Sequence, residues 1–514
     1  MEFGAMAKTI IDLTTLDGAD GFRMNGEAAG DYAGFSVEGI GDFNGDGFDD
    51  FAVGAERANS IDGVINVVFG AATGFEATSD FVALDGADGF RLLGLTNTAF
   101  KHATGNDING DGKSDLLTGS GNASNVFGND GVTTVLFGTD APLAAEFDTT
   151  GFDGADGFRF FGGEFRERAG SDVTGVGDFN GDGIADFVTA GYGATVNGDS
   201  TAGITHIGFG KTTPFAEDNF LADLDGADGM HLEGFREFHF SGRQTAEAGD
   251  MNGDGLADIA IAGFGPDNQS DGKVFVVFGR DDGIASLSLD TLDGADGFRF
   301  SAFGDRSYTG RSLGSAGDIN GDGLDDFVIG SYGDDTVATN SGRVAIIFGG
   351  DAGFPANLTH SDLDGADGFI IDGLEVRDNL GSGVSGAGDF NGDGFEDLLV
   401  LARFAKFGNP VDVGEAYVIY GTENGFSAAF DLANLDASEG VNIRPAIAAY
   451  GFQLAVDSVN GLGDINGDGF DDIGLDAKND TPPGGDKTGS SFVIFGGDHA
   501  GLVTQQGTSA WETI

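Results

Sequence analysis

Asp, Asn and Gly recur along this chain in a nine-residue pattern, Asp-x-Asn-x-Asp-Gly-x-x-Asp, that occurs seven times. The copies start at Asp42, Asp107, Asp178, Asp250, Asp318, Asp389 and Asp464, separated by 65 to 75 residues. Oxygen-bearing side chains at this spacing suit a hard cation. In a curling loop alternate residues point inward, so positions one, three and five supply side-chain oxygens and Gly at six allows the sharp turn. Position seven offers its carbonyl, and Asp at nine closes the cage. The first loop then offers Asp42, Asn44, Asp46, the Phe48 carbonyl and Asp50; the second, Asp107, Asn109, Asp111, the Lys113 carbonyl and Asp115. The third offers Asp178, Asn180, Asp182, Ile184 and Asp186, and the fourth Asp250, Asn252, Asp254, Leu256 and Asp258. The last three offer Asp318, Asn320, Asp322, Leu324 and Asp326; Asp389, Asn391, Asp393, Phe395 and Asp397; and Asp464, Asn466, Asp468, Phe470 and Asp472. With a water or a bidentate carboxylate, about six or seven oxygens fit Ca2+ better than Mg2+, which keeps its waters. About seven calcium ions are expected.

An EF-hand is excluded, because its twelfth position needs Glu and is Val53 here. Asp, Asn and Gly also form turns without metal. Against that reading, three carboxylates brought together in each loop without a basic partner repel one another when empty. The Lys113 ammonium is expected to make the second loop the weakest.

The segments between the loops must position them. In the first complete unit, residues 35–40 lead into the loop, 51–55 leave it and 64–69 follow; a polar connection then reaches Asp85-Gly86-Ala87-Asp88-Gly89 and the run 90–93. Short β-branched and aromatic runs bounded by Gly, Asp and Asn predict strands and turns, and no segment has a helical period. Each unit is four short strands with the acidic loop between the first and second. Such units repeated radially make a β-propeller, so the expected fold is all-β, a seven-bladed propeller of four-stranded antiparallel blades. The Asp-Gly-Ala-Asp-Gly signature of the fourth strand stands at Asp17, Asp85, Asp153, Asp225, Asp293 and Asp364, with a degraded copy at Asp436. One copy precedes the first acidic loop and none follows the last third strand, at 492–495. Residues 21–24 are therefore expected to complete the seventh blade and close the ring. The signature itself reads as a Gly-rich turn whose Asp bonds its own backbone. The propeller is assigned to residues 10–500, with a leader at 1–9 and a tail at 501–514.

Composition narrows the function. The chain has 85 acidic and 24 basic residues, a formal charge of −61, which disfavours nucleic acid and anionic membranes. It has no Cys, so thiolate zinc sites are excluded. No apolar run is long enough to span a membrane. Its 47 Phe residues point to aromatic packing between repeated units. Weak calcium sites fill outside the cell and not at cytosolic calcium, so an extracellular, secreted or surface location is expected. Residues 1–7 lack the apolar core of a secretory signal.

These residues resemble the FG-GAP repeats of the integrin α-subunit propeller. The shared features are the acidic loop, Gly54-Ala55 after the second strand, and the Phe-Gly that closes the third at Phe69, Phe137, Phe209, Phe278, Phe348 and Phe495, with Tyr420-Gly421 in the sixth unit. The resemblance covers nearly the whole chain. It implies seven blades, calcium in the loops of one face and ligand recognition on the opposite face. Integrin propellers carry calcium in only some blades; here every blade keeps the motif, as in bacterial members. The Pro of Gly-Ala-Pro is absent and no integrin stalk, membrane helix or inserted adhesion domain follows, so heterodimerisation and signalling do not carry over.

The recognition face should then be built from the connections between fourth and first strands. These hold Lys101, Arg166, Arg168, Arg236, Arg243, Arg306, Arg311, Arg377 and Arg444, with Phe100, Phe165, Phe238, Tyr308 and Tyr450 among them. Converging on the ring axis they would suit the uronate or sulfate groups of an acidic polysaccharide; alternatively they pair with neighbouring carboxylates. His231 and His239, with Tyr308, are the one candidate acid–base set, although they also read as ordinary polar residues. No His-Glu-x-x-His or Gly-x-Ser-x-Gly motif is present, and residues 381–386, which match a dinucleotide pattern, open a strand and are rejected. The first-ranked function is a calcium-dependent adhesion or recognition module, monomeric, with an extracellular protein or acidic polysaccharide as partner. A polysaccharide lyase or hydrolase and a passive spacer rank behind it.

Overall fold

The computed structural model describes residues 9–28, 30–58, 63–93, 101–104, 106–124, 128–235, 240–264, 272–301, 303–304, 306–405, 414–444, 458–480 and 488–499, of which 101, 102 and 104 are described by backbone alone. The assigned leader up to residue 8 and the tail from 501 lie outside the described residues, as do Phe100, Arg236, Phe238, His239, Tyr450 and the Lys101 side chain.

The β-branched runs pair as the repeat predicts. In the first unit Ala33–Gly41, Asp50–Ala55, Val64–Val68 and Gly89–Leu93 join antiparallel in that order. Six further sheets repeat the arrangement, giving seven in all. The second strands, such as Asp258–Gly263 and Asp397–Ala402, are buried at every residue. A strand in the middle of a blade is covered on both faces by neighbouring blades, and this is why it reads as a continuous apolar run instead of an alternation. Among the described residues there is no α-helix, and no helix long and apolar enough to cross a membrane.

Each sheet has five strands, one more than the repeat predicts. The fifth is two or three residues long and lies parallel to the fourth. Glu146–Asp148 sits on Gly89–Leu93, and Asp218–Phe220 on Gly157–Phe161. It is donated by the next unit, from the polar connection between that unit's third and fourth strands. Its exposed ends and short length leave no periodic signature.

The ring closes twice. Gly21–Asn25 pairs antiparallel with Ser490–Ile494, completing the seventh blade as expected. In addition, Ile10–Asp12 becomes the fifth strand of the sixth blade, parallel to Gly440–Arg444. Sixteen residues at the start of the described chain, 10–25, thus join two successive blades.

The phenylalanines do the packing between blades. The Phe of a fourth strand stacks on a Phe contributed by the next unit, and both touch the Phe of Phe-Gly. Phe22 lies 4.7 Å from Phe75, with Phe495 at 5.8 and 5.6 Å from the two. Phe298, Phe354 and Phe278 repeat the triad at 4.6, 6.2 and 5.7 Å, and Phe369, Phe426 and Phe348 at 4.3, 5.8 and 6.1 Å. Each such ring pair adds about 0.5–1.5 kcal/mol beyond the area it buries.

Polar bonds tie the same blades together. Ala71, Thr139, Lys211, Arg280, Gly350, Thr422 and Gly497, each two residues beyond a third-strand aromatic, donate backbone N–H to the preceding acidic loop. The acceptors are the carbonyls of Ile465, Phe43, Ile108, Phe179, Met251, Ile319 and Phe390, at 2.7–2.9 Å, so the bonds run unbroken round the ring. The glycine of Phe-Gly is caught between two carbonyls. A Cβ on Gly210 would collide with the Ala185 oxygen and lie 2.8 Å from that of Ile108. Gly210→Ala is therefore predicted to destabilise the calcium-loaded fold by about 3 kcal/mol. Gly151→Ala, whose Cβ meets nothing within 4 Å, should shift it by less than about 0.5 kcal/mol. Urea unfolding of the two variants checks the difference.

Candidate functional site

Every acidic loop is closed by its own backbone. In the fourth, the Asp254 N–H donates to Asp250 Oδ1 at 3.0 Å and to Asn252 Oδ1 at 2.8 Å. The Gly255 N–H reaches Asp250 Oδ2 at 2.9 Å, and the Leu256 N–H reaches Asp254 Oδ1 at 2.9 Å. The same four bonds recur in the other six loops. Two glycines make this turn possible: Gly253 and Gly255 have φ of +75° and +87°, a left-handed backbone that other residues adopt at a cost. Position four is Gly in all seven copies, and position two is apolar in all seven. The position-two side chains, Phe43, Ile108, Phe179, Met251, Ile319, Phe390 and Ile465, are wholly buried and anchor each loop in the core.

Position seven serves two blades. Its carbonyl belongs to its own loop, while in six of the seven blades its side chain covers the position-four glycine of the preceding loop, as Leu324 does Gly253 and Leu256 does Gly181; Gly110 meets Thr212 instead. Lys113 extends in the same way over Gly45, so its side chain lies against the first loop.

The Asp at position nine is the least exposed of the candidate side-chain ligands: Asp50, Asp115, Asp186, Asp258, Asp326, Asp397 and Asp472 are all wholly buried. One oxygen of Asp258 accepts the Met251 N–H at 3.0 Å, and the other accepts the Gly279 N–H at 2.9 Å. The glycine of the third-strand Phe-Gly or Tyr-Gly makes this second bond in every unit, at 2.8–2.9 Å. Burial outweighs these donors and, with the other loop carboxylates adding repulsion, pushes all seven acids up to about 8.

This donor set fits a hard cation. Among the described residues no three Asp, Glu or His groups form a ready cage. Each loop instead combines carboxylates with an Asn amide oxygen and a backbone carbonyl, an all-oxygen set suited to Ca2+ and unsuited to zinc. An oxygen that accepts a single N–H, such as Asp254 Oδ1, keeps a lone pair for a cation, whereas Asp250 Oδ1 accepts two, from Gly253 and Asp254. The Asp-Gly-Ala-Asp-Gly segments are not part of this chemistry. The first Asp of every copy accepts the N–H two residues on, at 2.8–3.1 Å, as a turn former does.

At the other end of the first strands the charge reverses. These strands surround a central cavity of about 1140 Å³. Its lining includes Glu38, Glu247, Glu396 and Asp471 toward the loops, and Arg168, Arg243, Arg311, Arg403 and Lys478 at the opposite mouth. Arg168 and Arg243 both lie over the Tyr192 ring, at 5.3 and 4.9 Å, and Arg168 also donates to the Tyr192 hydroxyl. Arg311 hydrogen-bonds Tyr332, which stacks on Tyr308 with centroids 5.0 Å apart.

Of the predicted basic residues, then, Arg168, Arg243 and Arg311 converge. Arg166, Arg306 and Arg377 are exposed and do not line the cavity. Arg166 lies over exposed Phe165 at 4.9 Å, and Arg444 ends a fourth strand 3.7 Å from Glu415. The converging set gains Tyr192, Tyr332, Arg403 and Lys478, which sequence reasoning missed. All four stand six residues after the last Asp of an acidic loop, a register that a count along the repeat would have exposed. Tyr32, Arg168, Phe240, Tyr308 and Asn379 share another register, each two residues before a glycine at the start of a blade, and all have φ of +50° to +64°. For bulky side chains this backbone is strained, and such strain gathers at binding sites.

Of the acid–base set, His231 and Tyr308 fall among the described residues and His239 does not. His231 meets His206 across paired strands, Nδ1 to Nδ1 at 2.8 Å, and His206 Nε2 lies 2.8 Å from Glu167 Oε1. Tyr308 belongs to a different blade. Burial, then the neighbouring His206, lowers His231 from 6.5 to about 4. A histidine depressed in the folded state stabilises it above the unfolded value and loses that contribution as pH falls. His231→Gln is therefore predicted to reduce the loss of stability between pH 6.5 and 4, read as the shift in urea midpoint at several pH values.

Seven sheets in a ring, each with an acidic loop at the same end, define a seven-bladed β-propeller. The chain matches the FG-GAP repeat at residues 34–68, 309–347 and 380–419, the first three strands of units one, five and six. It is 27% identical over 172 residues to integrin alpha-4 of Xenopus laevis, covering 33% of this chain and 14% of that protein. Identity is 33% over 165 residues with integrin alpha-IIb of Homo sapiens, covering 32% and 15%. It is 30% over 184 residues with phosphatidylinositol-glycan-specific phospholipase D of Rattus norvegicus, covering 35% and 20%. The matches thus span a fifth or less of these relatives' length. The chain thus carries FG-GAP repeats in a seven-bladed propeller and resembles integrin α subunits over about a third of its length.

Proposed function

We propose that this propeller is an extracellular adhesion or recognition module, monomeric, stabilised by calcium in its seven loops and binding its ligand at the opposite face. The observation that carries the reading is the polarity of the ring. Every first strand ends in an acidic loop, and the mouth at the other end gathers cations and aromatic rings in a chain with few basic residues.

Calcium would be held by positions one, three, five and nine through side chains and by position seven through its carbonyl. When bound it supplies positive charge beside a buried carboxylate. The chain's own residues do the rest. The position-two side chain fixes the loop to the core, and the position-nine Asp fixes it to the third strand. The backbone bond to the next blade then passes that rigidity round the ring. Sites built from three carboxylates and exposed on one side match the weak, extracellular class of calcium site.

Thermal unfolding in calcium and in chelator tests this. Seven sites held at a hundred-fold excess over Kd would each contribute about 2.7 kcal/mol, so chelation is predicted to lower the midpoint strongly. Asp254→Ala should remove one ion from the measured stoichiometry. An unchanged midpoint, or no calcium bound in equilibrium dialysis, would sink the calcium reading.

A further inference from the structure

We propose that the channel mouth is an oxyanion site for a saccharide, with Arg168, Arg243 and Arg311 clamping a carboxylate or sulfate carried on a sugar ring. The inference rests on the recognition reading and gives its ligand a chemistry.

The three guanidiniums come from three consecutive blades, so their meeting is a property of the closed ring. They are close enough to oppose one another. Desolvation within the concavity, then the neighbouring charges of Arg311 and Arg168, hold Arg243 below its ordinary value, although Tyr192 and Asp172 act the other way. Asp172 is the carboxylate beside them, and its Oδ2 also accepts the Thr245 N–H at 2.5 Å and the Thr245 hydroxyl at 3.1 Å. Arg403 and Lys478 add two more cations to the same lining. Among the described lining residues at this mouth the five cations face one carboxylate, Asp172, and a planar guanidinium fork matches the paired oxygens of a further carboxylate or sulfate.

The surroundings select a sugar. The cations at the mouth are interleaved with aromatic faces: Lys478 lies 4.7 Å over Phe35, Arg403 lies 5.2 Å over Phe404, and Tyr192 lies between two arginines. Below them the wall is rich in hydroxyl and amide groups, among them Ser36, Thr174, Gln244, Ser312, Ser382 and Asn460. Such a wall offers hydrogen-bond partners to a polyol, with Val173, Leu313, Val384 and Val459 supplying apolar surface beside them. The backbone that presents Arg168 and Tyr308 is held at φ of +64° and +54°, a conformation maintained only where the surroundings enforce it. The overall charge of −61 sets the size of the ligand. A long polyanion lying across the outer surface meets repulsion, whereas one acidic unit seated in the mouth is within about a Debye length, roughly 8 Å in physiological salt, of the arginines.

The test is calorimetric titration of the calcium-loaded full chain with four probes: trigalacturonate, a sulfated galactotriose, uncharged galactotriose and hexaglutamate. Binding of at least one acidic sugar is expected, weakened roughly ten- to a hundred-fold by Arg243→Gln and by Arg311→Gln and unchanged by Arg166→Gln. Whichever acidic sugar binds identifies the oxyanion. Arg243→Lys, which keeps the charge and loses the fork, should recover only part of the affinity, and calcium-loaded melting curves confirm that each variant is folded. Neither acidic sugar binding, or equal binding by wild type and both Gln variants, overturns the proposal. Tighter binding of hexaglutamate assigns the mouth to acidic protein and overturns the saccharide. Equal binding of uncharged galactotriose, insensitive to the arginine variants, overturns the oxyanion while leaving recognition at this face intact.

Discussion

A buried carboxylate at the ninth position of each acidic loop carries the architecture. It accepts the N–H of the loop's own second residue in most blades, and in all of them the N–H of the glycine that closes the third strand. That pair of bonds ties the loop, the second strand and the third strand at one corner of the blade. The residue after the glycine then bonds the preceding loop. Because the glycine is squeezed between two backbone carbonyls, no side chain fits there, and the Phe-Gly signature and the acidic signature are two halves of one joint. Burial of the carboxylate opposes its ionisation, so the joint is strongest when positive charge sits beside it.

The joint also gives the ring its polarity. All first strands run in the same sense, from the cavity mouth to the acidic loops, so seven copies of one loop end on one face. The other face is free to diverge, and it does. Blades three, four and five place arginines there, blade six places Arg403, and blade seven Lys478, while blade two offers Gly121 and Asn122. The two ends of a single cavity therefore differ in charge, and the mouth lacks the sevenfold regularity of the acidic loops. Repetition there would leave nothing to discriminate one ligand from another.

Much of the fold was legible in advance. The seven units, the strand order, the ring closure by residues 21–25 and the turn role of Asp17 and its equivalents follow from short patterns that recur along the chain, the acidic loops every 65 to 75 residues. The fifth strands were not legible, because two or three exposed residues pairing in parallel with another unit leave no pattern in their own sequence. The second closure by Ile10–Asp12 was missed for the same reason. Among the loop residues, Asp258 and its equivalents were legible as candidate ligands that close the cage, and their tie to the third strand was not. Their bonds to Gly279 and its equivalents connect residues about twenty apart that no spacing rule links.

By itself the sequence determined the repeat number, the strand pairs and an all-oxygen loop chemistry, since each depends on neighbours in the chain and on the conformational freedom of glycine. Only the tertiary structure decided which cations meet. Arg166 and Arg168 are two residues apart, yet one faces outward over Phe165 and the other enters the mouth beside Arg243, some seventy residues on. Convergence on an axis is set by the closure of seven blades around it, and that is a distance in space which no interval along the chain records.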